Sequence, residues 1–300
     1  MISRLDLLVL SFLYAMATTL GIQATETAVF VSGTMHIESA PQNWPDCTKL
    51  IDFFKRATTA GMHWSVGADI GWLKSEPRAA EVIKTTEALG VQWDVHAHYM
   101  SDRATCAAYI TRYGGHPTQV LSGLLNTEID ALRTPLKSSL GTTWQPAVLW
   151  GIVTSTGHTL GADDLATGDW RPKSSAAYAT DDPAGNLIAV GGGSRKLADA
   201  ESFAKAPNTT APVTSTSIMV APKTLTVLGG TDGIDAIEAW VGRMKQVSSV
   251  RWASISETAA AWKAAGGVPS RQGTAPTTSG LRAKTLGVMP GSGAQVIAPR

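Results

Sequence analysis

Cysteine is scarce, with Cys47 and Cys106 the only two in 300 residues. Two are too few for a disulfide framework, and neither lies in a Cys-x-x-Cys pair, which argues against a thiolate metal site. Either one bridge joins them, as an exported protein would permit, or they are two separate buried thiols. Charge is thin as well. Charged residues make up 16% of the chain and the net charge is +1, so nothing attracts nucleic acid or another polyanion. Long apolar runs are missing: residues 7–14 form a short one, and a membrane span needs about 20 residues. No Gly-x-Gly-x-x-Gly follows the first strand, which argues against a dinucleotide-binding fold. The run Gly191-Gly192-Gly193-Ser194 lacks the Gly-Lys-Thr and the helix of a phosphate loop and reads as a turn.

What is present suits a globular chain. Hydrophobic residues reach 44% and there are 10 Trp, enough for a sizeable core in one large domain or two small ones. Residues 1–24 read as a signal peptide: Arg4 starts it, 7–14 form its apolar centre, and Ala15-Met16-Ala17 or Ala24 offers a cleavage site. That reading implies export to the periplasm or the medium; an uncleaved anchor and a cytosolic helix are the alternatives. Residues 268–300 hold Pro, Gly, Thr and Ser with four basic residues and no acidic one, and are expected to be mostly disordered. Asn208-Thr209-Thr210 is a glycosylation sequon, a triplet common by chance.

Between these ends the pattern alternates. An apolar run over 28–36 predicts a strand, and Asp46 can cap a helix from 47 to about 58. Strand 63–66, helix 76–89 closed by Gly90, and the strand beginning at Val91 follow. Ser101 or Asp102 can cap a helix to about 113, before strand 120–125, a helical stretch near 128–140 and strand 147–153. Units of about 25–30 residues predict a parallel α/β sheet or barrel. From 154 to 212 the chain is rich in Gly, Asp, Ser and Thr and reads as loops with short strands, one near 186–190. Strand 216–220, an amphipathic helix over 234–247, strand 250–255 and a helix from 256 to 265 complete the order.

The candidate chemistry lies at strand ends. His96 and His98 close the third strand, and side chains two apart on a strand share a face. Neutral imidazoles so placed suit a divalent metal. The first strand ends in His36-Ile37-Glu38, which offers a third and a fourth ligand. Catalytic residues gather at the C-terminal ends of parallel strands, so the two strand ends are expected to meet in one site.

In the order of these parts the chain resembles the polysaccharide deacetylase superfamily of carbohydrate esterases. Thr34-Met35-His36-Ile37-Glu38 holds the place of the family's first motif, and Gly90 to His98 looks like the second. Trp170-Arg171-Pro172 resembles the third, and Val250 to Glu257 resembles the closing strand and helix. The resemblance spans about residues 28–265. It implies a deformed (β/α) barrel of mostly parallel strands over 25–267, acting as an exported hydrolase that removes acetyl or other acyl groups from a carbohydrate. It also implies one divalent metal ion, zinc by preference, with Glu38, His96 and His98 as ligands. His36 becomes a further ligand or the general base, and Arg171 orients Glu38 or binds substrate. Trp72, Trp170 and His158 become candidate substrate contacts, with core packing the common alternative for Trp. The pattern departs from the family in having His36 where an Asp is usual, histidines two rather than four apart, and no Leu-x-His in 218–222.

Two other readings compete. An amidohydrolase-type barrel also uses His-x-His, but on its first strand. A barrel that has lost catalysis could bind a glycan or partner. No nucleic acid, and no membrane beyond the export signal, is expected in any of them.

Overall fold

The computed structural model describes residues 26–38, 40–154, 167–191, 196–220, 222 and 233–271. In chain order, β1 (Ala28–Ile37) is followed by α1 (Cys47–Thr59), β2 (Trp64–Ala68), the short α2 (Ile70–Ser75) and α3 (Ala79–Ala88). Then come β3 (Gln92–Val95), α4 (Met100–Arg112), β4 (Pro117–Leu125), and a hairpin of β5 (Leu136–Lys137) and β6 (Thr143–Trp144). The rest is β7 (Val148–Val153), β8 (Asp169–Trp170), β9 (Ile188–Val190), α5 (Leu197–Lys205), β10 (Val213–Met219), α6 (Ile234–Met244), β11 (Val250–Trp252) and α7 (Ile255–Ala264).

The main sheet runs β10-β1-β2-β3-β4-β7-β9-β8, with β11 paired to the start of β1. Every pair in it is parallel except β8 with β9. Gly168 N–H donates to the Ser215 carbonyl at 2.9 Å and ties the two ends together. The result is a nearly closed α/β barrel, one of the two forms the alternation of strands and helices allows and the one the resemblance implies. Pleating explains how one strand serves two environments. On β1, Val29, Val31, Met35 and Ile37 join the core shared with the helices, while Ser32, Thr34 and His36 are buried on the other face. A second apolar cluster joins Val120, Val148, Trp150 and Val190 to Ile255 and Ala259 of α7. Ile255 N–H donates to Ser65 Oγ and Ser254 Oγ to Gln92 Oε1, so α7 begins at the N-terminal ends of β2 and β3. The opposite end, where β1 and β3 finish, is left for chemistry.

Several local expectations need correction. The helical stretch near 128–140 is instead two 3-10 turns, Asn126–Glu128 and Ala131–Arg133, and then the β5–β6 hairpin. Pro135 explains this, since it disfavours helical backbone at the residue before it and has no N–H to donate. Helix α4 starts at Met100, ahead of Ser101 and Asp102, with no side-chain cap. The last helix is capped by Ser254, whose hydroxyl accepts from Glu257 N–H, two residues before the expected start. Helix α5 stands in the stretch expected to be loops. Asp46 does cap α1, accepting from Lys49 N–H at 3.0 Å. Cys47 and Cys106 are free and buried, on α1 and α4, so no bridge joins them. Ser270, in the segment expected to be disordered, is 2% exposed, and its N–H donates to the Asp169 carbonyl. The signal-peptide segment, residues 1–24, and residues 272–300 of the tail lie outside the described residues.

Candidate metal centre

The site forms where β1 and β3 end on either side of β2. Register places His36 beside Gly67 and Gly67 beside Asp94. A Cβ on Gly67 would lie 2.5 Å from His96 Cβ, closer than real contacts allow. The missing side chain on β2 is what lets imidazoles from β1 and β3 meet across it. The His36 and His96 rings stack with centroids 3.9 Å apart and planes 21° apart. Trp150 of β7 packs perpendicular to His36, centroids 5.4 Å apart.

Ligand atoms of His36, Glu38 and His96 all lie within 4.8 Å of one another. His36 and His96 are buried and Glu38 is partly so. His96 Nδ1 contacts the Ser122 carbonyl at 2.8 Å. A carbonyl only accepts, so Nδ1 carries a proton, and in the neutral imidazole Nε2 keeps its lone pair. That Nε2 is buried and has no hydrogen-bond partner among the described residues. Glu38 Oε2 is 3.6 Å from it, too far for a hydrogen bond. A buried acceptor between a second imidazole and a carboxylate is the environment a divalent cation would satisfy.

His98 stands just outside this set. Its Nε2 is 3.1 Å from Glu38 Oε2 and its Nδ1 is 3.3 Å from Asp69 Oδ2. Asp69, at the end of β2, also caps α2 by accepting from Gly71 N–H at 2.9 Å. Hydrogen bonds to Asp69 and then Glu38 push His98 up to about 10, with burial opposing. Burial works against the Glu38 charge, yet the contacts with His96 and His98 hold its carboxyl well below the usual carboxylate range. Asp69 is lowered too: burial opposes its charge, while His98 and Gly71 N–H favour it.

The chain matches no protein-family model. No curated protein matches it either. Among solved structures it is 13% identical to tryptophan synthase of Mycobacterium tuberculosis in space group F222, covering 77% of this chain and 95% of that one, with a TM-score of 0.37. The open form of tryptophan synthase from M. tuberculosis with BRD0059 bound gives the same figures. At that TM-score the likeness carries no argument.

Of the residues singled out in sequence, His36, Glu38 and His96 come together, with His98 against Glu38. The group whose ligand atoms converge is thus His36, Glu38 and His96, where the resemblance implied Glu38, His96 and His98 with His36 as a further ligand or the base. Arg171 is engaged elsewhere. Its guanidinium lies 4.5 Å over the Trp262 ring and donates to the Gly267 carbonyl, and no contact with Glu38 is seen among the described residues. Trp72 is fully buried and stacks on Trp93, and Trp170 is buried with its Nε1 donating to the Tyr178 carbonyl. Neither has a face to offer a substrate. His158 lies outside the described residues. Among the described aromatic residues only Tyr99, next to His98, is exposed, at 72%. Asp69 follows the second strand, where a further ligand or a turn residue could sit, while Gly67 and Gly123 carry no side-chain chemistry to mark them. The signal for Asp69 was position, since it follows β2 as His96 and His98 follow β3.

Proposed function

We propose that this protein is an exported, metal-dependent hydrolase that removes acyl groups, acetyl foremost, from a carbohydrate. One observation carries the reading: His36, Glu38 and His96 converge to within 4.8 Å, around a buried His96 Nε2 that no described residue satisfies. Two imidazoles and a carboxylate fit zinc in an open, hydrolytic site, and these three residues would hold it. When bound, such an ion supplies Lewis acidity and a more acidic water. His98 orients Glu38 through its Nε2, and Asp69 fixes the ring through Nδ1. With 42% of its side chain exposed, His98 stands at the mouth, where a proton can pass to or from substrate. Tyr99 offers the open aromatic face on which a sugar ring can stack. Export rests on residues 1–24.

One observation favours a second reading, a barrel that binds a glycan or partner without turnover. Glu38 Oε2 already has His98 Nε2 at 3.1 Å, so a charge partner is present without an ion.

Elemental analysis of the purified protein and three variants tests the proposal. About one equivalent of zinc or another divalent metal is expected in the wild type, lost in His36→Ala and His96→Ala. His98→Ala should keep its metal while acetyl release from acetylated oligosaccharides falls by about 10²–10⁴-fold. Tyr99→Ala should raise KM and leave kcat near wild type. A wild type that takes up no metal even on reloading would sink the hydrolase and leave the binder.

A further inference from the structure

The two imidazoles are held by a piece of backbone that has no side chain. Strands β4 and β7 register Ser122 with Trp150 and Leu124 with Ile152. Between those pairs lie Gly123 and Gly151, both left-handed, with φ of +78° and +66°. L-residues with a Cβ rarely adopt that backbone. Two such residues side by side in parallel strands make a shared kink.

The kink has a consequence one residue earlier. The Ser122 carbonyl accepts the His96 Nδ1 proton at 2.8 Å. At Gly123 itself a Cβ would lie 3.1 Å from His96 Nδ1, 3.2 Å from His96 Cε1 and 3.3 Å from His36 Cε1. Those contacts are tighter than nine in ten real Cβ contacts, and they fall on both stacked rings at once. At Gly151 a Cβ would meet only Gly123 backbone atoms, at 3.6 and 3.8 Å, which is ordinary contact. The two glycines therefore share a backbone conformation and differ in what a side chain would strike.

We infer that Gly123 is a positioning residue for the metal centre. It holds the Ser122 carbonyl against His96 Nδ1 and leaves room for the two imidazoles to lie together. The carbonyl sets the tautomer, and the tautomer presents the Nε2 lone pair to the ligand space; outer partners of this kind orient metal-binding histidines. The inference rests on the proposed metal reading for its purpose but not for its geometry.

The test compares Gly123→Ala with Gly151→Ala, which carry the same backbone penalty. Zinc binding is titrated into metal-stripped protein by calorimetry, and nitrogen NMR of the metal-free imidazoles reports the His96 tautomer. The wild type should show His96 protonated at Nδ1. Gly123→Ala should lose that signature and bind zinc about 10–100-fold more weakly. Gly151→Ala should keep the signature and bind within about threefold of wild type, though both variants melt earlier than wild type. If Gly123→Ala fails to fold, Gly123→Asn replaces it, since Asn tolerates positive φ and carries the same Cβ. An unchanged tautomer and affinity in the Gly123 variant would overturn the inference, as would equal loss in Gly151→Ala. A wild type with the expected tautomer, lost in the Gly123 variant, but with no zinc binding would support the positioning and sink the metal reading alone.

Discussion

Asp169 is a carboxylic acid fully buried at the barrel seam. Ser215 Oγ donates to its Oδ1 at 2.9 Å, and Ser270 Oγ stands 3.4 Å from its Oδ2. Burial pushes its pKa up to about 7, against both hydroxyls. Asp94 on β3 is likewise raised to about 7 by burial, with Thr118 and Ser65 opposing. In the unfolded chain such a group ionises near its ordinary value of 3.8. Between that pH and about 7 the folded state binds more protons, so stability falls as pH rises through the window and levels off above it. Asp169→Asn removes one such group. Its stability should fall less between pH 5 and pH 8 than that of the wild type, by about 3 kcal/mol, read from urea unfolding at each pH. A wild-type slope in the variant would mean the carboxyl ionises normally in the fold. At this scale the sequence was a poor guide. A His, Glu or Asp at a strand end can be placed by counting, which is how His36, Glu38 and His96 were found. Whether Trp72 or Trp170 shows a face to solvent depends on chain that packs over it from elsewhere, and nothing local encodes that.

An element's ends carry most of its individuality. Helix α7 begins in a capping box: Ser254 Oγ accepts from Glu257 N–H, and Glu257 accepts from Ser254 N–H. Glu257 Oε2 also meets His63 Nδ1, just ahead of β2, at 2.8 Å. The contact with Glu257 raises His63 against burial, and His63 holds Glu257 down to about 2. The sign follows for each partner. The histidine's contribution is full below about 6.5 and is lost as pH rises through its raised folded value. The glutamate's is full above about 4.5 and is lost as pH falls toward 2. The pair therefore contributes most between about pH 4.5 and 6.5. Both side chains are nearly half exposed, so solvent screens the pair and the gain is held to about 0.5–1 kcal/mol. His63→Ala should lower the melting temperature at pH 5.5 and barely change it at pH 9; an equal drop at both would rule out the ion pair. Elements with strong apolar period and a clear stop, such as β1, α1 and β4, were legible from sequence. Two-residue strands such as β8 carry no period at all, and α5 was hidden in a stretch whose composition resembles loop.

At the scale of the whole molecule the barrel is closed by segments far apart in sequence. Alternating strands and helices were enough to predict a parallel α/β sheet or barrel, because parallel strands need crossovers and crossovers bury both faces of a sheet. The closure was not predictable, since it depends on pairings with no local signature. Trp262 Nε1 donates to the Val268 carbonyl, Arg171 to that of Gly267, and Ser270 Oγ accepts from Asp169 N–H. The segment after α7 thus clasps the edge strand β8. Removing residues 268–300 should cost a few kcal/mol, roughly two or three buried hydrogen bonds, and should expose β8 to proteolysis within 167–191. An unchanged melting temperature would mean the clasp contributes nothing.

Strand β1 is the first of the barrel to be made, yet on one side it waits for β10 and β11. Thr34 Oγ1 donates to the Ile218 carbonyl across 184 residues of chain. At a synthesis rate of about 5–20 residues per second, that wait is roughly 10–40 s. Throughout it the growing chain carries a bare strand edge, the kind of surface that pairs with whatever strand arrives first. A chain built this way needs either a chaperone over that edge or a delay in folding until its own last strands are released.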